Sequence, residues 1–199
     1  MEPISPSQNG ATVSNQTDLS RYDNSWYQPG RGPIIRLLWY FANALFLQNP
    51  CNPSSRLNVA LLRAFGARIG KGVRIKPGIN VKYPWNLEIG NNSWIGESVW
   101  IDSLTSVTIG SHVCISQGAY LCTGNHNWSD PHFGLVVKSI SVGDGAWIGA
   151  KATILPGTEL GNHCVITAGS VIGGVAKPYG IYRGNPALLL KNRIVAPDL

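Results

Sequence analysis

The 199-residue sequence predicts an all-β chain wound as a triangular parallel coil, a β-helix of about five turns, with helices closing one end. Three observations predict it. Aliphatic residues recur every six positions in five successive triplets. A glycine follows the first aliphatic residue of each triplet. The composition, with 23 Gly and 13 Pro and only 13% charged residues, favours short strands and tight turns over long helices. At this length one core is expected, not two.

The triplets are Ile69, Ile75 and Val81; Ile89, Ile95 and Ile101; Ile109, Ile115 and Leu121; Val142, Ile148 and Ile154; and Leu160, Ile166 and Ile172. Ile, Val and Leu make up about a quarter of the chain, so fifteen such hits arise by chance with a probability of roughly 10⁻⁹. Each hexapeptide therefore forms one flat side, with its aliphatic residue inward and a small residue (Ser93, Ala119, Ala146, Ala152, Cys164, Ser170) in a tight corner. Gly70, Gly90, Gly110, Gly143 and Gly161 stand where the backbone must bend or pack closely. Stacked coils rise about 4.8 Å each, and both ends of the stack need a cover.

The remaining segments supply the covers. Residues 1–32 are polar and read as a flexible N-terminal tail, either loose or draped over the fold. Residues 33–66 form a helical cap. Its first helix starts at Pro33 and stops at Leu47 before Pro50, and a shorter one runs from Leu57 to Phe65. The first is apolar nearly all round yet too short to span a bilayer, which leaves a capping helix or one lying on a membrane surface. Residues 67–178 are the coil, with an inserted loop at 127–141, and residues 179–199 are read as a short helical tail over the far end.

The formal net charge of +6 is local. Nine Lys or Arg and no acid lie between Asn24 and Leu87, whereas Glu88 to Leu199 carries six bases and seven acids. This argues against nucleic acid as a partner. It leaves a basic N-terminal face suited to anionic headgroups or glycans, or simply a solvated surface. Cys51, Cys114, Cys122 and Cys164 form no CxxC pair, so neither a zinc knuckle nor a redox motif is expected. The polar opening carries no leader-like apolar run, and the expected location is the cytoplasm, with peripheral contact at the inner face of the membrane as the variant.

The Ile-Gly-x-x-x-x repeats, the insertion after the third coil and the closing Arg183-Gly-Asn-Pro-Ala187 resemble the left-handed parallel β-helix acyltransferases of the hexapeptide-repeat superfamily. More narrowly, Phe65-Gly-Ala-Arg-Ile-Gly70, Tyr83-Pro-Trp85 and Ile115-Ser-Gln-Gly-Ala-Tyr-Leu-Cys-Thr-Gly-Asn-His126 are similar to the colanic-acid biosynthesis acetyltransferase branch, over about Leu57 to Arg193. The resemblance implies a left hand, acetyl-CoA as co-substrate without a metal, and a hydroxyl of a sugar or exopolysaccharide intermediate as acceptor.

Acetyl transfer to an alcohol needs a base, donors for the developing oxyanion and a slot that aligns both substrates. Of the four histidines, His112 and His163 sit at outward corner positions, and His132 in Asp130-Pro-His-Phe133 reads as a loop anchor. His126 follows Thr123-Gly-Asn where the insertion leaves the coil, and the six-residue step stacks it over Ser106. Related galactoside, maltose and nodulation-type enzymes carry their base after a similar Thr-Gly, so the resemblance assigns His126 as general base. Asp102 is the first choice to orient it and Glu97 the second. Glu97, Trp100 and Tyr120 are the acceptor candidates, the two aromatics as a sugar platform or as a subunit contact.

On the donor side the resemblance points to Trp147, Gly149 and Ala150, and to Ala168 and Gly169, along the pantetheine arm. Lys177, Arg183 and Lys191 are the candidates for its phosphates, because Gly173-Gly174 and Leu188 stand where the superfamily often has other contacts. Trp94, Trp147 and Val165 on one outer edge predict a homotrimer with sites between chains. Two alternatives remain. One is a zinc carbonic-anhydrase-like enzyme on the same architecture, which the histidine spacings of 14, 6 and 31 do not favour. The other is a scaffold without catalysis.

Overall fold

A computed structural model describes residues 16–196. The chain winds into a three-sided parallel β-helix. The first side stacks strands beginning with Arg68–Ile69, the second with Arg74–Ile75 and the third with Asn80–Val81. Register follows the period read from the sequence: Ile69 pairs Ile89, then Ile109, Val142, Leu160 and Ala176 in one column. Five full coils form, and Val175–Ala176 with Gly180–Gly184 add two sides of a sixth beyond the expected five. The inward columns are buried from Ile75 and Val81 to Ile166 and Ile172.

The glycine after each first aliphatic residue has a steric cause. A Cβ at Gly90 would lie 2.6 Å from the Gly110 and Ser111 backbone, and one at Gly161 would lie 2.5 Å from the nitrogen of Pro178. Coils stacked this closely leave no room for a side chain.

Two helices close the starting end. The first, α1 (Pro33–Ala42), carries Pro at its first turn and continues through one wider turn at Asn43–Leu47. The second, α2 (Ser55–Ala64), begins where the Ser54 hydroxyl accepts from the Leu57 N–H at 3.2 Å. Together they satisfy the open edge of the first coil. The Ser55 hydroxyl accepts from the Ile75 N–H (2.8 Å), Arg63 donates to the Ile69 and Gly70 carbonyls, and the Trp39 indole donates to the Val81 carbonyl (2.9 Å). Trp39, Leu47 and Leu62 are buried beneath the core.

Three expectations need correction here. The far end is covered by strands, not by a helical tail: Gly180–Gly184 turns through Asn185 and Pro186 and pairs antiparallel with Ala187–Asn192. An unpaired strand edge offered a hydrogen-bonding partner, and that outweighed the helix propensity of Leu188 to Leu190. Residues 16–32 are not a loose tail but an arm laid along the coil. Asp18 donates its N–H to the Pro131 carbonyl, Tyr27 its hydroxyl to the Leu104 carbonyl, and Trp85 its indole N–H to the Pro29 carbonyl. The rest of the expected tail, residues 1–15, lies outside the described residues, as do residues 197–199 of the C-terminal segment.

The insertion also begins earlier than expected and has its own structure. Gly124–His126 and Leu135–Val137 form an antiparallel hairpin, and the chain rejoins the coil when Lys138 donates to the Thr123 carbonyl and Ile140 to the Ser106 carbonyl. His126 therefore stands on a projecting arm, opposite Leu135, and outside the coil column that the six-residue step assigns it.

Candidate active site

The root of the arm is fixed first. Thr123 is fully buried, and its hydroxyl donates to the Asp102 carbonyl at 2.6 Å, tying the start of the hairpin to the preceding coil. From that anchor the hairpin turns back through Asn127 to Phe133. The turn is closed by the Phe133 N–H donating to the Asp130 carbonyl and by His132 Nδ1, 3.3 Å from an Asp130 oxygen.

The fold-back determines the state of His126. Its Nδ1 lies 2.8 Å from the Phe133 carbonyl, and the Phe133 ring stacks on the imidazole at 4.3 Å between centroids. Only an N–H can satisfy a carbonyl, so Nδ1 carries a proton, and in the neutral ring the lone pair is on Nε2. The ring of Tyr22, on the N-terminal arm, lies tilted to the imidazole at 5.7 Å between centroids.

His126 lines a cleft of about 520 Å³ together with Tyr22, Tyr27, Arg36, Lys82 and Asp102. Asp102 is only 8% exposed. Burial holds its carboxyl above the ordinary carboxylate range, and Lys82 Nζ at 3.7 Å partly opposes that effect. Asp102 thus shares the cleft with His126 but pairs with Lys82. The group that orients the imidazole is the Phe133 carbonyl, because the hairpin brings a backbone acceptor closer than any carboxylate. Burial likewise raises the Tyr27 and Tyr120 phenols above their ordinary range.

The acceptor candidates separate. Tyr120 lines the cleft of His126. Trp100 stacks on Tyr120 at 4.6 Å and lines an adjoining cleft of about 400 Å³, which shares Arg36, Lys82 and Tyr83 with the first. Glu97 lies elsewhere. It is exposed on the corner between the second and third sides, one side of the prism before Asp102, so it does not reach this cleft.

The donor candidates separate too. Gly149, Ala150, Ala168 and Gly169 form a bare ladder on that same second-to-third corner, where the Gly169 N–H donates to the Ala150 carbonyl at 2.8 Å. A Cβ at Gly149 would lie 2.5 Å from the nitrogen of Ala168. Arg183 continues the ladder upward, since the Gly184 N–H donates to the Ser170 hydroxyl. Trp147 stands on the outer face of the second side, its indole donating to the Ser116 hydroxyl at 2.9 Å, and Lys191 lies opposite Ile181 on that side. Lys177 does not join them. It sits between the first and second sides, at the other end of the second strand, with its N–H donated to the Tyr182 hydroxyl. Of the expected outer apolar edge, Trp94 and Trp147 are exposed, while Val165 is buried.

Tyr22 and Phe133 were not anticipated by the sequence, whose signals for them are the aromatic cluster Tyr22, Trp26 and Tyr27 in an otherwise polar tail and Phe133 seven residues past His126. Arg36 and Lys82 belong to the acid-free basic run of residues 24–87, which gives their charge but not their place beside His126. Among the described residues of one copy no three His, Cys, Asp or Glu side chains converge.

Comparison with known proteins accords with this geometry. The family described as bacterial transferase hexapeptide (six repeats) matches residues 139–174. The chain is 34% identical over 168 residues to the colanic acid biosynthesis acetyltransferase WcaF of Escherichia coli K12, covering 84% of this chain and 92% of that protein. A galactoside acetyltransferase solved in complex with coenzyme A superposes with a TM-score of 0.72 at 25% identity, over 80% of this chain and 81% of that one. A maltose O-acetyltransferase from Clostridium difficile 630 superposes with a TM-score of 0.74 at 23% identity, over 82% and 90%.

Proposed function

This chain belongs to the hexapeptide-repeat acyltransferases, left-handed parallel β-helix enzymes, in the branch of the colanic-acid biosynthesis acetyltransferases, and on that premise we propose that it acetylates a hydroxyl of a sugar or exopolysaccharide intermediate with His126 as general base. It is an acetyltransferase, and its acetyl donor is acetyl-CoA. The observation that carries the proposal is the His126 ring, held through Nδ1 by the Phe133 carbonyl, which leaves Nε2 as the basic nitrogen of the neutral ring, in the lining of a cleft large enough for a sugar.

In this reading the acceptor hydroxyl gives its proton to Nε2 as its oxygen attacks the thioester carbonyl. The tetrahedral oxyanion collapses to the ester, and the proton returns to the departing thiolate. The Phe133 carbonyl stabilises the imidazolium formed on the way, in the role a carboxylate takes in other base–orienter pairs. Arg36 and Lys82 give the cleft a cationic wall, and the Trp100–Tyr120 stack offers a sugar face.

A single copy separates the parts. His126 projects where the third side ends, while the small-residue ladder for the pantetheine arm lies where the third side begins. A full side of the prism stands between them. A homotrimer of prisms packed side by side brings the arm of one copy to the ladder of the next, and two features support it: Trp128 at the arm's turn is 75% exposed, and Trp94 and Trp147 are exposed on a flat outer side. The test is His126→Ala. Transfer to a sugar acceptor from labelled acetyl-CoA is expected to fall by at least about a hundredfold while coenzyme A affinity is unchanged. A variant with undiminished transfer would overturn the assignment and leave only the architecture.

A further inference from the structure

The helix α1 and the wider turn after it are built inside out. The side against the coil carries Arg36, Trp39 and Asn43; the Asn43 amide donates to the Asn80 side chain at 2.8 Å and is buried. The side facing away carries Ile34, Leu37, Phe41 and Leu45, at helical spacings of 3, 4 and 4, and these are 73%, 58%, 53% and 61% exposed. Leu38, Tyr40 and Phe46 widen the stripe. In water a surface helix shows the reverse arrangement. A contiguous apolar face of this kind marks contact with another apolar phase.

Charge selects the phase. Every residue of α1, α2 and the first coil lies within Asn24 to Leu87, a run with nine Lys or Arg and no acid; Arg68 and Lys82 pair with Glu88 and Asp102 of the next coil, which leaves seven without a carboxylate partner among the described residues. A basic surround on an apolar helix face matches an anionic bilayer, in which the helix lies flat with its hydrocarbon side chains among the acyl chains. No helix among the described residues is long and apolar enough to cross a membrane, so α1 lies on the surface and does not span. A second copy is the rival occupant, but prisms packed side by side, as in the trimer reading above, leave this end bare. In such a trimer the three stripes share one end, and they would engage one surface together.

We propose that the outward face of α1 and its continuation to Leu47 is a docking surface for an anionic membrane. The adjoining clefts both open beside Arg36 of this helix, so docking sets the acceptor site at the bilayer surface and favours an acceptor carried there. That last clause rests on the transferase reading, and the exclusion of a second copy rests on the trimer packing proposed with it; the apolar face and its basic surround rest on neither.

The test is sedimentation of the full chain with vesicles of phosphatidylcholine alone and of phosphatidylcholine with phosphatidylglycerol, for the natural protein and for Leu37→Glu/Phe41→Glu. Both changed side chains already face away from the core, and circular dichroism checks the fold. The natural chain is expected to partition onto the anionic vesicles, less so at high salt, and the double variant roughly tenfold less or worse. Failure of the natural chain to sediment with anionic vesicles would overturn the proposal, as would unchanged partitioning of the variant. If light scattering shows that the double change alters the number of subunits, the face is a contact between copies and the proposal is equally wrong. None of these outcomes depends on acetyl transfer, so the catalytic reading stands or falls separately.

Discussion

Two corners of the same prism differ in what they carry. Where the second side meets the third, the fourth and fifth coils carry small stacked residues: Gly149, Ala150, Ala168 and Gly169 form a strip with little side chain beyond Cβ, above Gln117 and Glu97 of the coils before. Where the third side returns to the first, the third coil throws out the Gly124–Val137 hairpin, and the N-terminal arm, Arg36 of α1, Lys82 and Asp102 gather around it. The bare corner is made by the repeat, because each coil must pass over the one beneath it at backbone distance. The decorated corner interrupts the repeat, and all the titratable groups of the cleft are there. A repeat supplies a slot; chemistry requires leaving the repeat.

The sharpest way to break this comparison is to disable each corner in a different chain. Ala168→Trp fills the bare strip at an exposed position, and His126→Ala removes the proposed base. Each alone is expected to lose at least about a hundredfold in transfer. Co-refolding the two is expected to restore a readily measured part of the natural rate, because some sites then combine an intact base from one chain with an intact strip from its neighbour. No recovery in the mixed oligomer would place both halves of the site in one chain.

Next in size is Phe133→Ala, which removes the ring stacked on His126 but leaves the carbonyl. Looser positioning of the imidazole is expected to lower kcat about tenfold with little change in KM, as read by steady-state kinetics with both substrates. The opposite corner answers in stability. Gly149→Ala places a Cβ against the backbone of Thr167 and Ala168, which cannot move without shifting a coil. A loss of about 1–3 kcal/mol is expected, visible as a lower midpoint in thermal or denaturant unfolding.

The smallest effect concerns pH. Asp102 has its carboxyl raised in the folded chain, so the folded state binds the proton more tightly than the unfolded one. Its contribution to stability is present below the unfolded value of 3.8 and is lost as pH rises through the folded one. Asp102→Asn is expected to flatten that part of the stability–pH curve, measured by thermal melts from acid to neutral pH. A curve as steep as that of the natural chain would show that Lys82 compensates the burial fully.

The coil was legible because its cause is periodic. Ile69 to Ile172 recur at the spacing that turns them inward, and the observed columns pair the residues the triplets align. The Thr-Gly address singles out His126 in the sequence, but its geometry was not legible there. The six-residue step placed it in a column over Ser106, whereas the chain had already left the coil at Gly124. Within one copy, Glu97 stands apart from the His126 cleft and Lys177 from the small-residue ladder for a related reason. Both stand near functional candidates in sequence, yet a corner intervenes, and each corner turns the next six residues to another side of the prism.

What the sequence by itself determined is the wall: the number of sides, the inward residue of each, the glycines under the next coil and the helices at the start, all of them local or periodic consequences of side-chain size and polarity. What only the tertiary structure decided is the interior of the cleft. The carbonyl that orients His126, the cation beside Asp102 and the tyrosines of the N-terminal arm come from segments with no shared period, up to 104 positions apart between Tyr22 and His126. They meet because a hairpin and an arm each had backbone groups and aromatic surface to satisfy, and the nearest place to do so was against the same edge of the coil.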